Sequence, residues 1–385
     1  MSVPRKLRTT VAFTALAALL AACGSASSSG GGGDETLSIG HIAQLTGAQG
    51  PNGTHYDAGI EAAVREVNES GVLPDGWKTN VVKQDDGTDV AKSAQILSEM
   101  VGRDRVDAVL SSGWTPISVA LWPLVNDYEV PLITASSLGG EAFKEDYFFS
   151  LADLDLPRAA GEYLVSRDVR RVGLVIDGDN PGFELVSGPI EEVLKEGGLP
   201  GFATKQAVAT SDTDFSAVIS NLADADVDAV VLAVGTDAVG NFLLQTEDVA
   251  ALKDVTYVTH HAISATAATV AKEKAAGLTF PQAWIVTNEP GALAFEKESG
   301  KQTNSYFAYG HDAVWLLAVA ASLVIEEGDE VNGSLLREKI SEASRSKTFA
   351  EYAYLDGLSV DPEGRSSVNE VLGTFDTEGR IVPVD

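Results

Sequence analysis

The sequence predicts an α/β protein built as two doubly wound parallel-sheet lobes joined by a multi-crossover hinge, with a ligand cleft between them. Three observations predict it. Short β-branched strands alternate with helices of about 10–15 residues, the pattern of parallel sheets covered on both faces. The series runs twice, the second beginning after Leu151-Ala152-Asp153. A long apolar helix, Ser305 to Glu326, then resumes after the second series, and its place is back against the first lobe. The chain therefore passes between lobes more than once, and such crossovers make a hinge around a cleft.

In the first series Leu37 to Ala43 reads as a buried strand, and Tyr56, Ile60, Val64 and Val67 recur at helical spacing before Gly71 closes the helix. Thr79 to Gln84 is a strand, and Val90 to Val101 a helix with Ala94, Leu97 and Val101 on one face. Val106 to Leu110, Ser118 to Tyr128 and Val130 to Thr134 continue as strand, helix and strand. In the second series the strands lie near Arg171 to Ile176, Phe202 to Val208, Val227 to Ala233 and Val255 to Val258. Glu184 to Glu196, Phe215 to Ala223 and Ala238 to Thr246 are the helices between them. The run Ala313 to Ile325 is too short to span a bilayer, which takes roughly 20 apolar residues, and fits a core helix. Residues 36–152 with 288–345 are assigned to the first lobe, and 153–287 with 346–385 to the second.

Residues 1–22 read as a leader to be removed. Arg5, Lys6 and Arg8 precede the apolar run Val11 to Leu20 and the small-residue site Leu20-Ala21-Ala22-Cys23. Leu-Ala-Ala-Cys resembles the bacterial lipobox, which implies cleavage before Cys23 and lipidation of its thiol. Ser25 to Gly33 is a flexible Ser/Gly tether, so residues 23–35 form a lipidated anchor and linker. The expectation is an exported protein, lipid-anchored at the outer face of the bacterial cytoplasmic membrane or else periplasmic.

The 385 residues are 44% hydrophobic, enough for two cores, and carry a formal charge of −29. Loss of the leader's cations makes the chain more acidic still, which disfavours nucleic acid and anionic headgroups. Cys23 is the single cysteine. The fold therefore relies on no disulfide, and a structural cysteine cluster for zinc is excluded.

In open α/β sheets ligands bind beyond the carboxyl ends of the strands. In the first lobe those positions hold the Gly-rich turn Gln44 to Gly53 with Asn52, then Asp85-Asp86, then Ser111 to Pro116, then Ala135 to Gly140. Thr115 reads as an N-cap and Pro116 as the first helical residue. Hydroxyls and free amides at helix starts suit a carboxylate or other anion. The second lobe offers Asp177 to Phe183, Gly235-Thr236-Asp237 and Thr259-His260-His261. Trp114 and Phe183 are placed to sandwich an apolar group from opposite lobes.

Leu45-Thr46-Gly47, Gly53, Gly59, Val67-Asn68 with Gly71, Asp85-Asp86 with Asp89, and Tyr309-Gly310-His311-Asp312-Ala313 resemble the Leu/Ile/Val-binding branch of type I periplasmic binding proteins. These are the extracytoplasmic receptors of ABC importers, and the resemblance covers nearly the whole chain after the leader. It implies capture of a small polar organic solute, amino-acid-like or carboxylate-bearing with an aromatic one left open, and delivery to permease subunits. Carried over residue by residue, the family's hydroxyl after the third strand falls near Thr115, and its small residue and threonine after the fourth fall near Ser136 and Leu138. Its first-loop aromatic falls at Asn52, and its second-lobe tyrosines fall at Pro181 and Thr236. Its acidic partner for a ligand ammonium falls near His261, with Asp237 as the nearest substitute. The candidate ligand-binding set is Asn52, Trp114, Thr115, Ser136, Ser137, Asn180, Phe183, Thr236, Asp237 and His261.

Enzyme chemistry finds little footing. There is no nucleophile elbow, P-loop, HExxH or complete dinucleotide fingerprint, and no cofactor or metal is expected. Asp85 and Asp86 are adjacent on an extended strand, point to opposite faces, and suit capping and loop hydrogen bonds. His260-His261 are likewise adjacent with no third metal ligand at a matching spacing. The alternatives to a transport receptor are a sensory receptor of the same fold signalling to a membrane partner, and an exported α/β enzyme.

Overall fold

The computed structural model describes residues 35–136, 146–153, 155–261, 263 and 265–384. Cys23, with the leader and tether, and Ser137 lie outside the described residues. The first lobe opens with β1 (Thr36–Ala43), α1 (Gly50–Ser70), β2 (Lys78–Asp85), α2 (Val90–Glu99), β3 (Ala108–Ser111), α3 (Thr115–Tyr128), β4 (Leu132–Thr134) and β5 (Phe148–Ser150). Its sheet has the order β2-β1-β3-β4-β5, parallel throughout. The second lobe follows with α4 (Arg158–Ser166), β6 (Val172–Asp177), α5 (Gly182–Glu196), β7 (Phe202–Val208), α6 (Ser216–Asp224), β8 (Ala229–Ala233), α7 (Thr236–Gln245), β9 (Thr256–Thr259), α8 (Ala265–Ala271) and β10 (Phe280–Gln282). Its parallel sheet repeats the same winding, β7-β6-β8-β9. The two lobes of parallel sheets are those the alternating pattern predicts.

The rest of the chain is α9 (Pro290–Ser299), α10 (Ser305–Glu326), α11 (Gly333–Ser344), α12 (Lys347–Tyr352), the short strands β11 (Ser359–Val360) and β12 (Ser366–Ser367), and β13 (Val371–Phe375) with β14 (Ile381–Pro383). Helix α10 starts at Asn304, whose side chain accepts the Tyr306 N–H, and it is buried along most of its 22 residues. It is long and apolar enough to cross a membrane but lies inside the first lobe, 83% buried over its most apolar window. It packs on α1 with the backbones in contact. A Cβ on Gly59 would sit 2.0 Å from the Phe307 carbonyl oxygen, and one on Gly310 would sit 2.1 Å from that of Tyr56. Only glycine fits at either position.

The second α10 feature is an ionisable group locked in the core. His311 is wholly buried between Asp312 (Nδ1 to Oδ1, 2.8 Å) and Glu66 of α1 (Nε2 to Oε2, 2.9 Å). Burial works against its charge, but the bonds to Asp312 and Glu66 outweigh it and raise its pKa. Asp312 also accepts the backbone N–H groups of Tyr354 and Leu355 at 2.8–3.1 Å.

That anchor corrects the lobe boundary. The sequence assigned all of 346–385 to the second lobe. Phe349, Leu355, Leu358, Val360 and Val368 are instead buried in the first-lobe cluster with α1 and α10, as are Ala283 and Trp284. Val368 N–H donates to Asp153 at 3.1 Å, and Ser150 N–H to the Gly364 carbonyl at 2.9 Å. Only β13 and β14 join the second lobe, through the antiparallel pairing of β13 with β10. No local periodicity marks 349–368, because long-range bonds to Asp312 and Asp153 hold it. The chain thus passes between lobes three times, after β5, after β10 and between β12 and β13. The turns that close the two terminal hairpins share the sequence Asp-x-Glu-Gly-Arg, Asp361–Arg365 and Asp376–Arg380, with the Asp carboxylate accepting the Arg N–H at 2.9 Å in both.

Candidate functional site

The orders β2-β1-β3 and β7-β6-β8 place a topological switch point in each lobe. Connections leave neighbouring strands in opposite directions there, so a crevice opens at the carboxyl end. The loops at those ends face one another. A Cβ on Gly182, which opens α5 after β6, would lie 3.5 Å from Thr115 Oγ1, which opens α3 after β3.

In the first lobe a buried polar network stiffens the loops. Gln44, at the end of β1, donates through Nε2 to Asp86 Oδ2 and Ser111 Oγ, both at 3.2 Å, and Ser112 Oγ donates to Gln44 Oε1. Ser93 Oγ donates to Asp86 at 2.7 Å. Asp85 accepts from the Leu45, Thr46 and Gly87 amides and the Thr46 hydroxyl. A small burial cost opposes ionisation, and the Thr46 hydroxyl with those amides outweighs it, holding the Asp85 carboxyl below its ordinary range. Both acids do loop work, as their adjacency suggested. Gln44 went unmarked in the sequence, although a lone amide ending a buried strand is a signal.

Gly113 then turns with φ +88°, and a Cβ there would lie 2.4 Å from the Ser136 nitrogen. This close approach brings Trp114 and Thr115 beside Ser136. Thr115 is not the N-cap the sequence suggested: Trp114 holds that place in extended conformation, Thr115 is the first helical residue, and no side chain caps the helix. An indole has no acceptor to offer, Pro116 has no N–H, and the Ile117 N–H donates to the Trp114 carbonyl at 2.9 Å, so among the described residues the Thr115 N–H is the first-turn donor left open to a ligand. Ser136 Oγ is buried without a partner among the described residues, and so is Ser118 Oγ one turn into α3. Ser118 was read only as the start of a helix, although it lies three residues beyond Thr115 on the same face.

In the second lobe Asn180 closes its own turn, accepting the Gly182 N–H at 2.9 Å. Phe183 sets its ring edge-on to His260 at 5.1 Å. Trp114 packs on the first-lobe cluster around Ile117 and Leu121, so the two aromatics line their own lobes and do not stack on each other. Thr236 opens α7 after Gly235, and Asp237 is exposed in its first turn, where a carboxylate favours the helix dipole. His260 Nε2 meets the Val234 carbonyl at 2.8 Å, and the His261 carbonyl accepts from Gln282. Burial lowers the His260 pKa to about 4, and burial with the neighbouring His260 lowers that of His261 to about 3. Both rings are neutral at pH 7, so His261 offers no cation to a ligand.

Asn52 is engaged elsewhere: its Oδ1 accepts from Asn304 Nδ2 at 3.2 Å, clasping the first turns of α1 and α10. Ser137 lies outside the described residues. An open groove of about 610 Å³, lined by Phe149, Leu323, Arg337, Arg345 and Pro362 among others, includes none of these loops. No group of three or more metal-ligating side chains occurs among the described residues.

Residues 36–363 match the family model of a periplasmic binding protein. The chain belongs to that family. Among solved structures, this periplasmic binding protein is similar to a branched-chain amino acid transporter substrate-binding protein from Streptococcus pneumoniae in complex with isoleucine. The identity is 20%, the TM-score 0.76, and the match covers 90% of this chain and 97% of the other. A branched-chain amino acid ABC transporter protein from Thermus thermophilus with bound valine matches at 19% identity and TM-score 0.75, over 91% and 95%. A solute-binding protein of an ABC transporter from Rhodopseudomonas palustris BisB5, in complex with 3,4-dihydroxybenzoic acid, matches at 19% and 0.71, over 91% and 96%. At such identities these structures establish the fold alone. Family and fold are those of solute-binding proteins rather than enzymes, and the family implies a place outside the cytoplasm.

Proposed function

We propose that this protein is a lipid-anchored solute receptor that captures a small carboxylate-bearing organic solute and delivers it to the permease of an ABC importer. The observation that carries the reading is the meeting of the switch-point loops at Thr115 and Gly182, beside the uncapped start of α3 and the Ser136 hydroxyl, which has no partner among the described residues. Amide and hydroxyl donors there suit a carboxylate. Trp114 and Phe183 supply apolar walls, and Thr236, Asp237 and the neutral His261 approach from the second lobe. Since His261 carries no charge and Asp237 stands exposed in the first turn of α7, the site favours an acid without a strongly held ammonium, with amino acids retained through Asp237. The solutes named in the complexes above span both types. Cys23 in Leu20-Ala21-Ala22-Cys23 supplies the anchor.

Thermal-shift screening against amino acids, aromatic acids, amides and small carboxylates tests this, because a ligand bound only by the folded state raises the melting temperature. A carboxylate is expected among the hits. Thr115→Ala should then weaken binding about 10- to 150-fold, the range for a hydrogen bond to a charged group. Normal binding by both Thr115→Ala and Trp114→Ala would place the site on other loops.

A further inference from the structure

We propose that Gln282 is a positioning residue that sets the angle between the lobes, by joining the candidate ligand loop after β9 to the first turn of α10. Gln282 ends β10, pairs with Val371 of β13, and is 1% exposed at the second passage between lobes. Its Nε2 donates to the His261 carbonyl at 2.6 Å, and its Oε1 accepts from Ser305 Oγ at 2.8 Å. Turning the amide over would set Oε1 against the His261 carbonyl oxygen, so that carbonyl fixes the orientation and leaves Oε1 to accept from Ser305. Ser305 is itself buried and shares its proton with the Trp284 carbonyl at 3.1 Å. The preceding Asn304 holds Asn52 of α1. One line of hydrogen bonds thus runs from the loop after β9, through Gln282, to the starts of α10 and α1.

A buried amide is well placed only while both partners are aligned, and stranding either end costs the desolvation of an unmade bond. Because His261 belongs to one lobe and Ser305 to the other, rotation of the lobes strands the amide. The bridge therefore favours one lobe angle over its neighbours. A second glutamine behaves differently. Gln302, just before α10, pairs with both backbone groups of Ile381, accepting its N–H at 2.6 Å and donating to its carbonyl at 2.8 Å. Its two partners sit on one residue of β14 and move together, so it is a pivot, while Gln282 is the element that reads the angle.

The inference rests on the two-lobe receptor reading and adds what governs its closure; its test uses no ligand, so failure of the ligand reading would show in the screen instead. In a Cys23→Ala background no other cysteine remains, and spin labels can be placed at the exposed positions Lys92→Cys and Asp248→Cys, one on each lobe. Gln282→Ala and Ser305→Ala should each shift the ratio of interlobe distance populations by about threefold to tenfold, the range of one neutral hydrogen bond. The double variant should shift it no further than either single one. Asn68→Ala, which removes the two hydrogen bonds of Asn68 to Thr79 inside the first lobe, should lower the melting temperature without moving the distances. If Gln282→Ala and Ser305→Ala behave like Asn68→Ala, the inference is overturned. If Gln282→Ala does not fold, Ser305→Ala cuts the same bridge from its other end and decides alone.

Discussion

The buried histidine pair beyond β9 makes a quantitative claim about acid stability. His260, with its pKa lowered from 6.5 to about 4 by burial, stays neutral in the folded protein where the unfolded chain has it charged. Below the ordinary value the unfolded state binds the extra proton, so stability falls as pH falls, from about 6.5 down to the folded value near 4. Between pH 7 and pH 5 linkage gives a loss of about 2 kcal/mol for this residue. His261, lowered to about 3, contributes in the same direction, although the two neighbours titrate as a pair and their losses do not add simply. His55 shifts the same way and His311 the opposite way, and both cancel when a variant is compared with the parent across pH. Urea unfolding followed by tryptophan fluorescence at pH 7 and pH 5 measures the change for the parent and for His260→Gln. The glutamine variant, whatever its absolute stability, should lose about 2 kcal/mol less over the interval. Equal losses in both proteins would mean that His260 is not held neutral by burial.

Three further outcomes follow from the packing and the anchor. Gly59→Ala should destabilise by about 1–3 kcal/mol or more, since its methyl group has no room against the Phe307 carbonyl, while Gly102→Ala, with open space around it, should be neutral or mildly stabilising by thermal melting. Asp312→Ala should cost about 3–5 kcal/mol in urea, because it strips His311 of a buried partner and the Tyr354 and Leu355 amides of their acceptor. Cys23→Ala should move the protein from the membrane to the soluble fraction with its melting temperature unchanged; retention on the membrane would refute the lipid anchor.

Local periodicity made the two parallel series legible, because a strand buried on both faces is a continuous apolar run and each covering helix repeats at its own period. The passages between lobes were less legible. Asp312 binds a segment some forty residues away, and nothing in the sequence around Leu355 or Val360 says which core will take them. At the candidate site the sequence located the loops at the strand ends, since strand ends are easy to count. It misjudged what some side chains do there. Asn52 is spent on Asn304, Thr115 begins its helix rather than capping it, and the unpartnered Ser118 was indistinguishable from any helical serine. Those distinctions depend on which groups meet across long sequence separations.

The three passages between lobes also govern the order in which the molecule can be made. Leu37, Ile39, Leu110 and Ile133 of the first sheet share their buried cluster with α10. Helix α10 follows the entire second lobe in the chain. During synthesis one face of the earliest sheet, covered in part by α1, therefore stays incomplete until residues beyond 305 have emerged, long after the second lobe has all of its own parallel strands. Contacts of such sequence separation close slowly and leave apolar surface exposed while they wait. Neither lobe is complete until the chain is nearly finished, since β13 and β14 of the second lobe come later still. A truncation before α10 should leave an adhesive, unfinished first lobe beside a second lobe that lacks β13 and β14.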